Sequence, residues 1–295
     1  MISAKVIQDS ITIKGNRITT FELEYPRFIH SELMTHRQFS RNAASSRAVP
    51  IERMIKHVHE NPAEPVHWGK NQPGMQAKVE LQGEELALSK HGWRAAAASA
   101  CEWSAWLSSQ GVHKQIANRV TEPFQTMKTV VTATEYQNWF WLRHHADAQP
   151  EIFDLAAKMH QAMYKSNPST IYEGEWHVPY VQRVLDTDRS PGITYLTEAG
   201  ETLTVEQARK VSASCCAQVS YRLQDDSVPK AEMIFDKLIT SQPAHASPVE
   251  HQATPIAVEP GDTQWPHGVT HQDRYGKLWS GNFQHWIQYR KILGL

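Results

Sequence analysis

The chain has 295 residues, of which 30 are lysine or arginine and 31 are aspartate or glutamate, and its formal net charge is −1. This balance excludes a global field that would attract nucleic acid or an anionic membrane, so any polyanion site must be a local patch. Three cysteines, two of them adjacent, exclude a disulfide framework, and no apolar run is long enough to span a bilayer. We therefore expect a cytoplasmic protein that binds neither a nucleic-acid polymer nor a membrane.

The first half of the chain predicts a hairpin followed by several helices. Apolar residues alternate over 3–25 around a turn at Lys14–Arg17, which predicts a β-hairpin that Pro26 ends. Residues 27–38 have helical spacing, and 58–75 lack periodicity, which predicts a long functional loop. Further predictions are helices over 75–110 (with a possible division at Gly83 or Gly92 and a stop at Gly111), 112–120, 135–145 and 149–165, and a strand over Thr126–Thr134.

The second half predicts fewer regular elements. Residues 166–203 are rich in proline, glycine and threonine and are expected to be irregular. Two helices are predicted over 204–222 and 229–241, then a region of loops and strands over 242–281 and an amphipathic segment over Phe283–Leu293. Together these elements predict a helix-dominated α+β fold in which long helices accompany a small antiparallel sheet.

The segment 35–47, Thr-His-Arg-Gln-Phe-Ser-Arg-Asn-Ala-Ala-Ser-Ser-Arg, concentrates hydrogen-bond donors. It holds three arginines, a histidine, an asparagine and three serines, with no acidic residue. Arginine forks bind phosphates and planar heterocycles, and serine-rich turns present backbone N–H groups to anions. The composition predicts a site for a phosphorylated, nucleotide-like ligand, and a solvated basic loop explains it equally well.

Other chemistries have weaker motifs. The chain lacks HExxH, His144 and His145 are adjacent instead of one helical turn apart, and Pro248 interrupts 245–251, so we expect no catalytic metal. The phosphate-binding patterns GxxxxGK[ST] and GxGxxG are also absent. A Ser/His/Asp triad stays open, although no GxSxG motif supports it.

Arg143 follows an aromatic run, Trp139-Phe140-Trp141. A cation among indole rings is either a structural cation–π contact or a donor that faces the substrate in a partly dry pocket. The local sequence favours the structural interpretation.

Three parts of the chain resemble motifs of the flavin-dependent thymidylate synthases. Segment 35–47 follows their signature RHRxxSxNExSxR position by position. Arg119, Asn138, Arg143 and 148–152 are similar to a second block of the family.

The third block is His-x-[Ser/Thr]-Pro-x-Glu-His. His245–His251 matches it, and Ala217–Tyr221 before it looks like the family's Ala-Arg-Val-Ser-Phe. This block comes first in the usual family member and last here, so the resemblance implies a circular permutation. The expected organisation is a single domain over 1–295, with the signature and nucleotide blocks in 1–165 and the FAD-binding block, normally N-terminal, in 204–295.

The resemblance implies an activity and its partners. Such enzymes are homotetramers whose active sites form between subunits, and they bind FAD non-covalently. They transfer a one-carbon unit from methylenetetrahydrofolate to C5 of dUMP, which gives dTMP, and NADPH-reduced FAD supplies the hydride. No protein nucleophile is required.

The resemblance also assigns residues by position. Arg143 would contact the uracil edge and stabilise the charge that develops as C5 is activated, which makes it the expected catalytic residue and reverses the structural interpretation. Arg119 would act from another subunit. The expected dUMP-binding residues are Glu32, Ser45, Ser46, Arg47, Arg119 and Arg143. The expected FAD-binding residues are Thr35, His36, Arg37, Asn138, His245, Ser247 and Glu250.

Three positions depart from the family pattern. Thr35 stands where the signature has its first arginine, Ala43 where it has an acidic residue, and Glu32 where a glutamine is usual. Losing a charge-assisted partner costs a few kcal/mol unless the site has been rebuilt. These departures suggest two alternatives: hydroxymethylation of dUMP or dCMP by the same fold, or a non-catalytic scaffold that binds nucleotide or flavin. We also predict that the loop 58–75, through Trp68 and Lys70, forms a lid over nucleotide or folate.

Overall fold

The structure is a computed structural model that describes residues 2–186, 192–220, 224–258 and 264–295. These residues form a mixed α+β fold, which confirms the predicted class. No helix in the described ranges is long and apolar enough to cross a membrane. The α-helices are α1 (His30–Met34), α2 (Ile51–Glu60), α3 (Gly83–Ser109), α4 (Lys114–Ala117), α5 (Gln137–Arg143), α6 (Pro150–Lys165), α7 (Val205–Ala217), α8 (Val228–Phe235) and α9 (Tyr289–Ile292).

The strands form one central sheet and three smaller ones. The central sheet has the order β3-β4-β2-β1-β5, and the small sheets have the orders β6-β7-β8, β10-β11-β12 and β13-β9. The strands are β1 (Ser3–Thr12), β2 (Arg17–Pro26), β3 (Ser40–Ala43), β4 (Thr126–Ala133), β5 (Ser169–Ile171), β6 (Gln182–Asp186), β7 (Gly192–Leu196), β8 (Thr202–Leu203), β9 (Ala253–Pro255), β10 (His271–Gln272), β11 (Leu278–Ser280), β12 (Phe283–Gln284) and β13 (Trp286–Gln288).

The predicted hairpin and the predicted strand near 126–134 are both confirmed. β1 and β2 pair in antiparallel register from Ser3↔Glu24 to Ile11↔Arg17, and Gly15 turns the chain at a φ of +82°. β4 pairs along β2, and β3 pairs along the other side of β4. The predicted antiparallel pairing is present among β1 to β4, and at one edge of the sheet β5 pairs parallel to β1. The helices α5 and α6 lie in the connection from β4 to β5 and carry the chain across the sheet to this edge.

The predicted helix over 27–38 is much shorter in the structure. A 3-10 turn at Arg27–Ile29 leads into α1, which ends at Met34. The guanidinium of Arg41 donates hydrogen bonds to the carbonyl of Met34 at the end of this helix and to the carbonyl of His36 just after it. The chain then enters β3, a short polar strand that has no clear periodicity of its own.

The longer helices agree better with prediction. α3 starts at Gly83, later than the predicted start, and continues through Gly92 without a break before Gly111 (φ of +77°) ends it. The helices predicted near 135–145, 149–165, 204–222 and 229–241 are present as α5 to α8, with α8 continuing as a π-helix at Asp236–Thr240. The predicted short helix over 112–120 is divided into α4 and a 3-10 helix at Asn118–Phe124.

Two regions contain elements that were not predicted. α2 begins directly after Pro50, and the irregular loop therefore runs from 61 to 82. Residues 166–203 were expected to be irregular but hold β5 to β8, whose two to five residues are too few for a periodic pattern. Residues 187–191 of that region and 259–263 of the region 242–281 lie outside the described residues.

The main core lies between the central sheet and the helices α5 and α6. Phe21 and Leu23 of β2 and Trp139 of α5 are completely buried there, together with Ile152 and Leu155 of α6. Burial of each such side chain contributes roughly 1.5–3 kcal/mol to stability. A second core packs α7 and α8 against the β6-β7-β8 sheet, so the C-terminal third has its own apolar centre.

A buried chain of hydrogen bonds ties this C-terminal part to the central sheet. The two ring nitrogens of His177 bond to the hydroxyls of Ser10 (2.9 Å) and Thr20 (2.8 Å). Thr20 bonds in turn to Thr132 (2.7 Å), and Thr132 bonds to Nδ1 of His251 (2.8 Å). Burial lowers the pKa of each histidine to about 3, so both rings are neutral at physiological pH.

Candidate functional site

The three motif regions of the sequence meet around β3 and β4. The backbone N–H of Ser45 donates to the hydroxyl of Ser220 at 2.9 Å, across 175 positions of sequence. Asn42 donates from Nδ2 to the carbonyl of Cys216 at 3.1 Å, and Thr132 contacts His251. The signature, the second block and the third block are therefore neighbours in space. Tyr221, which ends one matched segment, lies outside the described residues.

Arg143 is the last residue of α5, and the side chains of two other predicted site residues contact its guanidinium. Its Nη2 donates to the hydroxyl of Thr35 at 3.2 Å, and its Nη1 lies 3.7 Å from Oε2 of Glu32. The third nitrogen, Nε, is buried and has no hydrogen-bond partner in the described part of the chain. We call Glu32, Thr35 and Arg143 the Arg143 cluster.

Thr35 is well suited to this cluster although it replaces an arginine. Its hydroxyl donates to the carbonyl of Glu32 at 2.6 Å, which leaves an oxygen lone pair to accept from Arg143. A second cation here would repel the guanidinium, whereas a hydroxyl and a carboxylate both stabilise it. Glu32 and Thr35, the two unusual residues, thus form a matched set around Arg143.

His36 extends the cluster into the core. Its ring packs at 4.5 Å from the Phe39 ring and 5.4 Å from the Trp139 ring, measured between centroids. Burial lowers its pKa, and the charges of Arg143 and Arg41 lower it further. Nε2 of His36 is buried without a partner in the described part of the chain. The aromatic run before Arg143 therefore supports a neutral imidazole, and Trp139 packs on His36 instead of capping the guanidinium.

A pocket of about 230 Å³ lies at the other end of β3. We call it the serine pocket, because the hydroxyl-bearing Ser45, Ser46 and Ser220 line it. Ser45 begins a 3-10 turn, and its hydroxyl accepts from the N–H of Arg47 at 3.3 Å. The other residues that line the serine pocket are Glu24, Arg27, Ala44, Val49, Arg53, Met54, His57, Gln125, Thr126, Met127, Lys128 and Val219.

The predicted phosphate ligands are only partly gathered at this pocket. Ser46 lines it and donates its hydroxyl to Oε1 of Glu122 at 2.9 Å. Arg119 lies outside the lining with an exposed side chain, and its Nη1 is 3.7 Å from the same carboxylate oxygen. Arg47 is exposed and does not line the pocket. Glu122, which no prediction named, therefore lies between two of the expected ligands, and its position three residues after Arg119 is the one sequence clue to it.

The predicted flavin residues fall into two groups. Arg37 and Asn138 are exposed beside the Arg143 cluster, since each is next in sequence to a residue of the His36–Trp139 pair. His245 and Ser247 are exposed in the third block, while the half-buried Glu250 forms an ion pair with Arg290. Gln288 joins this group to β3, because its Nε2 donates to the carbonyl of Glu250 (3.0 Å) and to the hydroxyl of Ser40 (3.1 Å).

Comparison with known proteins decides the family. A family model described as thymidylate synthase complementing protein (Thy1) matches residues 17–169, just over half of the chain. The chain belongs to the Thy1 family. The matched range of this Thy1 protein runs from β2 to the start of β5 and contains the signature and the Arg143 block, so the resemblance read from the sequence is confirmed.

Two solved structures are similar to this Thy1 protein, both of a UMP/dUMP methylase, PolB, from Streptomyces cacaoi. The structure with 5-Br dUMP aligns at a TM-score of 0.43 and 16% identity, covering 56% of this chain and 91% of that one. The structure with 5-Br UMP aligns at 0.45 and 18%, covering 56% and 90%. Among curated proteins, none matches this chain.

Proposed function

We propose that this Thy1 protein transfers a one-carbon unit from methylenetetrahydrofolate to C5 of a pyrimidine deoxynucleotide, converting dUMP to dTMP with FAD and NADPH. The observation that carries the proposal is the Arg143 cluster, which joins the Thy1 signature to the second block through the contact between Arg143 and Thr35. The serine pocket at the far end of β3 supports a phosphorylated substrate, because it combines hydroxyls with cationic side chains.

The role proposed for Arg143 is electrostatic. Activation of C5 places negative charge on the uracil ring, and a guanidinium fixed beforehand stabilises that charge without reorganising. Glu32 and Thr35 hold two of its nitrogens, so the orientation is set before the substrate arrives. In this proposal Ser45 and Ser46 contact the phosphate, Ser46 by turning its one hydroxyl hydrogen from Glu122 to the ligand, and neither needs activation as a nucleophile.

The residues near His36 fit a flavin by their chemistry. A neutral imidazole with a buried, unpartnered Nε2 offers one hydrogen-bonding atom, and Arg37 and Asn138 offer exposed donors beside it. His245 and Ser247 would contribute from the third block, and Glu250 is a weaker candidate because Arg290 already pairs with it. FAD, when bound and reduced by NADPH, would supply the hydride for methylation.

We further propose a homotetramer with shared active sites. Arg119 is 60% exposed, as expected for a side chain that would reach another subunit. Large apolar side chains are also exposed on two helices: Trp103 and Trp106 on α3, and Trp141 on α5. Burying such aromatics against a neighbour is a common source of interface energy.

The circular permutation and the single domain over 1–295 belong to the same proposal. The segment 204–295 contacts β3 and β4 through Ser220, Cys216 and His251. In the proposed permutation this segment corresponds to the N-terminal block of the usual family member, and its contacts with β3 and β4 support one domain.

A second candidate function is hydroxymethylation of dUMP or dCMP. The observation that favours it is the charge of the Arg143 cluster, where Glu32 offsets Arg143 and Thr35 adds no cation. Hydroxymethylation ends with water attacking the methylene adduct and needs no net hydride. The reaction would therefore not require the additional arginine that other family members place on the flavin side of the site. A scaffold without catalysis is the third candidate, and it predicts binding without turnover.

The test combines a spectrum with a product assay. We expect the purified protein to bind FAD and to show a flavin band, and we expect dTMP from dUMP only when NADPH is present. Hydroxymethylated dUMP or dCMP without NADPH would favour the second function, and no product would favour the scaffold. Failure to bind FAD would refute the proposal.

Arg143→Gln tests the assigned residue. We expect kcat to fall about 10²- to 10³-fold, the size found when one preorganised donor is removed. Arg94→Gln is the matched control, because Arg94 is an exposed arginine on α3 that pairs with Glu64 away from the cluster. Equal activity of the two variants would contradict the role given to Arg143.

A further inference from the structure

The serine pocket has cationic side chains that none of the family motifs assigns. Arg27, Arg53 and Lys128 line it, and Glu24 is the one carboxylate among its lining residues. Glu24 accepts a hydrogen bond from the hydroxyl of Thr126 at 3.1 Å. Three cationic side chains and one carboxylate line the pocket, so the cationic donors available to a phosphate monoester, which carries about −1.5 to −2 at neutral pH, outnumber the carboxylates that line it.

Two of these cations are held from behind by carboxylates that do not line the pocket. Nη2 of Arg27 lies 3.0 Å from Oε1 of Glu122, and Nζ of Lys128 lies 3.5 Å from Oε1 of Glu22. Glu122 also accepts a hydrogen bond from the hydroxyl of Ser46, so a single carboxylate contacts both a cation and a hydroxyl of the pocket lining. An arginine or lysine fixed in this way loses less side-chain entropy when it binds an anion.

Glu22, the carboxylate that pairs with Lys128, also contacts a residue with a strained backbone conformation, Tyr180. The hydroxyl of Tyr180 donates to Oε2 of Glu22 at 3.1 Å. Tyr180 has a φ of +68°, and the N–H of Val181 donates to the carbonyl of Val178 to close the turn. A left-handed backbone conformation is unfavourable for a non-glycine residue, so the surroundings must hold this tyrosine in place. Its hydroxyl fixes the carboxylate that faces Lys128.

We propose that Arg27 and Lys128 bind the phosphate of the ligand in the serine pocket, and that Glu122 and Glu22 are positioning residues for them. The identity of that ligand as a pyrimidine nucleotide rests on the proposed function. The anion site itself rests on the pocket and its ion pairs. The phosphate would lie between the serines at the end of β3 and the cationic wall formed by β4 and the turn after β2.

The experiment measures binding of dUMP, deoxyuridine and inorganic phosphate to the full chain by calorimetry. We expect Arg27→Gln and Lys128→Met each to weaken dUMP binding about 10- to 100-fold, the size of a lost charge-assisted hydrogen bond, and to leave deoxyuridine binding unchanged. Lys56→Met is the control, because Lys56 is an exposed lysine on α2 that pairs with Glu60 outside the pocket. Binding of dUMP to the two pocket variants at wild-type strength would overturn the proposal.

The positioning residues have their own readout. We expect Glu122→Gln and Tyr180→Phe to raise the KM for dUMP about 5-fold with kcat unchanged, and Glu122→Asp to recover part of the loss. The double variant Arg27→Gln/Glu122→Gln leaves neither partner of that ion pair behind, so weak dUMP binding by it cannot come from a stranded carboxylate. Wild-type KM values in Glu122→Gln and Tyr180→Phe would overturn the positioning roles.

Inorganic phosphate separates this inference from the proposed function. If the wild type binds phosphate but not dUMP, the proposed function fails, and the same variants then test the anion site with phosphate as the probe. If the wild type binds neither, the anion site is refuted as well.

Discussion

Acidification is predicted to destabilise the protein through His177 and His251. Each ring has a native pKa of about 3 against an ordinary value of 6.5, because burial disfavours its charged form. The unfolded chain therefore binds protons that the native state does not. Stability is fully present above about pH 6.5 and is lost as the pH falls from there toward 3.

The size of the effect follows from the two pKa values. Between pH 7 and pH 5 the unfolded state gains about 0.7 of a proton at each histidine, and the native state gains almost none. At about 1.36 kcal/mol per pKa unit, this removes about 2 kcal/mol of the free energy of unfolding per histidine, or about 4 kcal/mol for the pair. That is a large part of the 5–15 kcal/mol by which a typical domain is stable.

Urea unfolding at several pH values between 7 and 5 measures this loss. His36 also has a native pKa lowered by burial and adds to the wild-type slope, so variants are needed to isolate the pair. We expect His251→Gln and His177→Gln each to reduce the pH-dependent loss by about 2 kcal/mol. His59→Gln, at an exposed site on α2, should leave the loss unchanged. An equal loss in all four proteins would refute the reasoning.

Two further predictions concern α3 and the loop before it. Gly92→Ala should raise the free energy of unfolding by about 0.5–1 kcal/mol, because it removes a glycine from a helix interior with open space around it. Gly111→Ala should lower the free energy of unfolding by about 1–2 kcal/mol, because Gly111 has a φ of +77°. Thermal melts in which both variants shift in the same direction would contradict this prediction. The loop is predicted to act as a lid, so Trp68→Ala and Lys70→Ala should raise the KM for nucleotide or folate. Lys70 pairs with Glu85 at 3.3 Å, so Glu85→Gln is the control for stability effects, and unchanged affinity and turnover in both loop variants would contradict the lid.

The elements predicted correctly are those whose patterns are long and local. The hairpin has ten residues on each side of a four-residue turn, and α6 and α7 have enough turns to show a stripe. β3 has four residues and was missed, because its strand conformation comes from pairing with β4 and not from its own side chains. α1 is shorter than the predicted helix, and Arg41 donates a hydrogen bond to the carbonyl of Met34 at its end.

The candidate site shows the same division between residues and their arrangement. Motif comparison named Glu32, Thr35 and Arg143, and the structure brings these three together. Motif comparison did not point to Arg27, Lys128 or Glu122, because the matched motifs do not contain them. The ion pairs that hold Arg27 and Lys128 form only when β2 and β4 lie side by side.

Sequence patterns and motifs were enough to predict the α+β class, the Thy1 family and most residues around Arg143, because a motif consists of neighbouring side chains whose chemistry is visible without the fold. The tertiary structure alone decided that the third block lies against the first, and that Ser46 and Arg119 share one carboxylate. It also decided that two histidines are buried and neutral. The contacts Ser45–Ser220, Ser46–Glu122 and Thr132–His251 join residues 76 to 175 positions apart, so they form only when the chain folds.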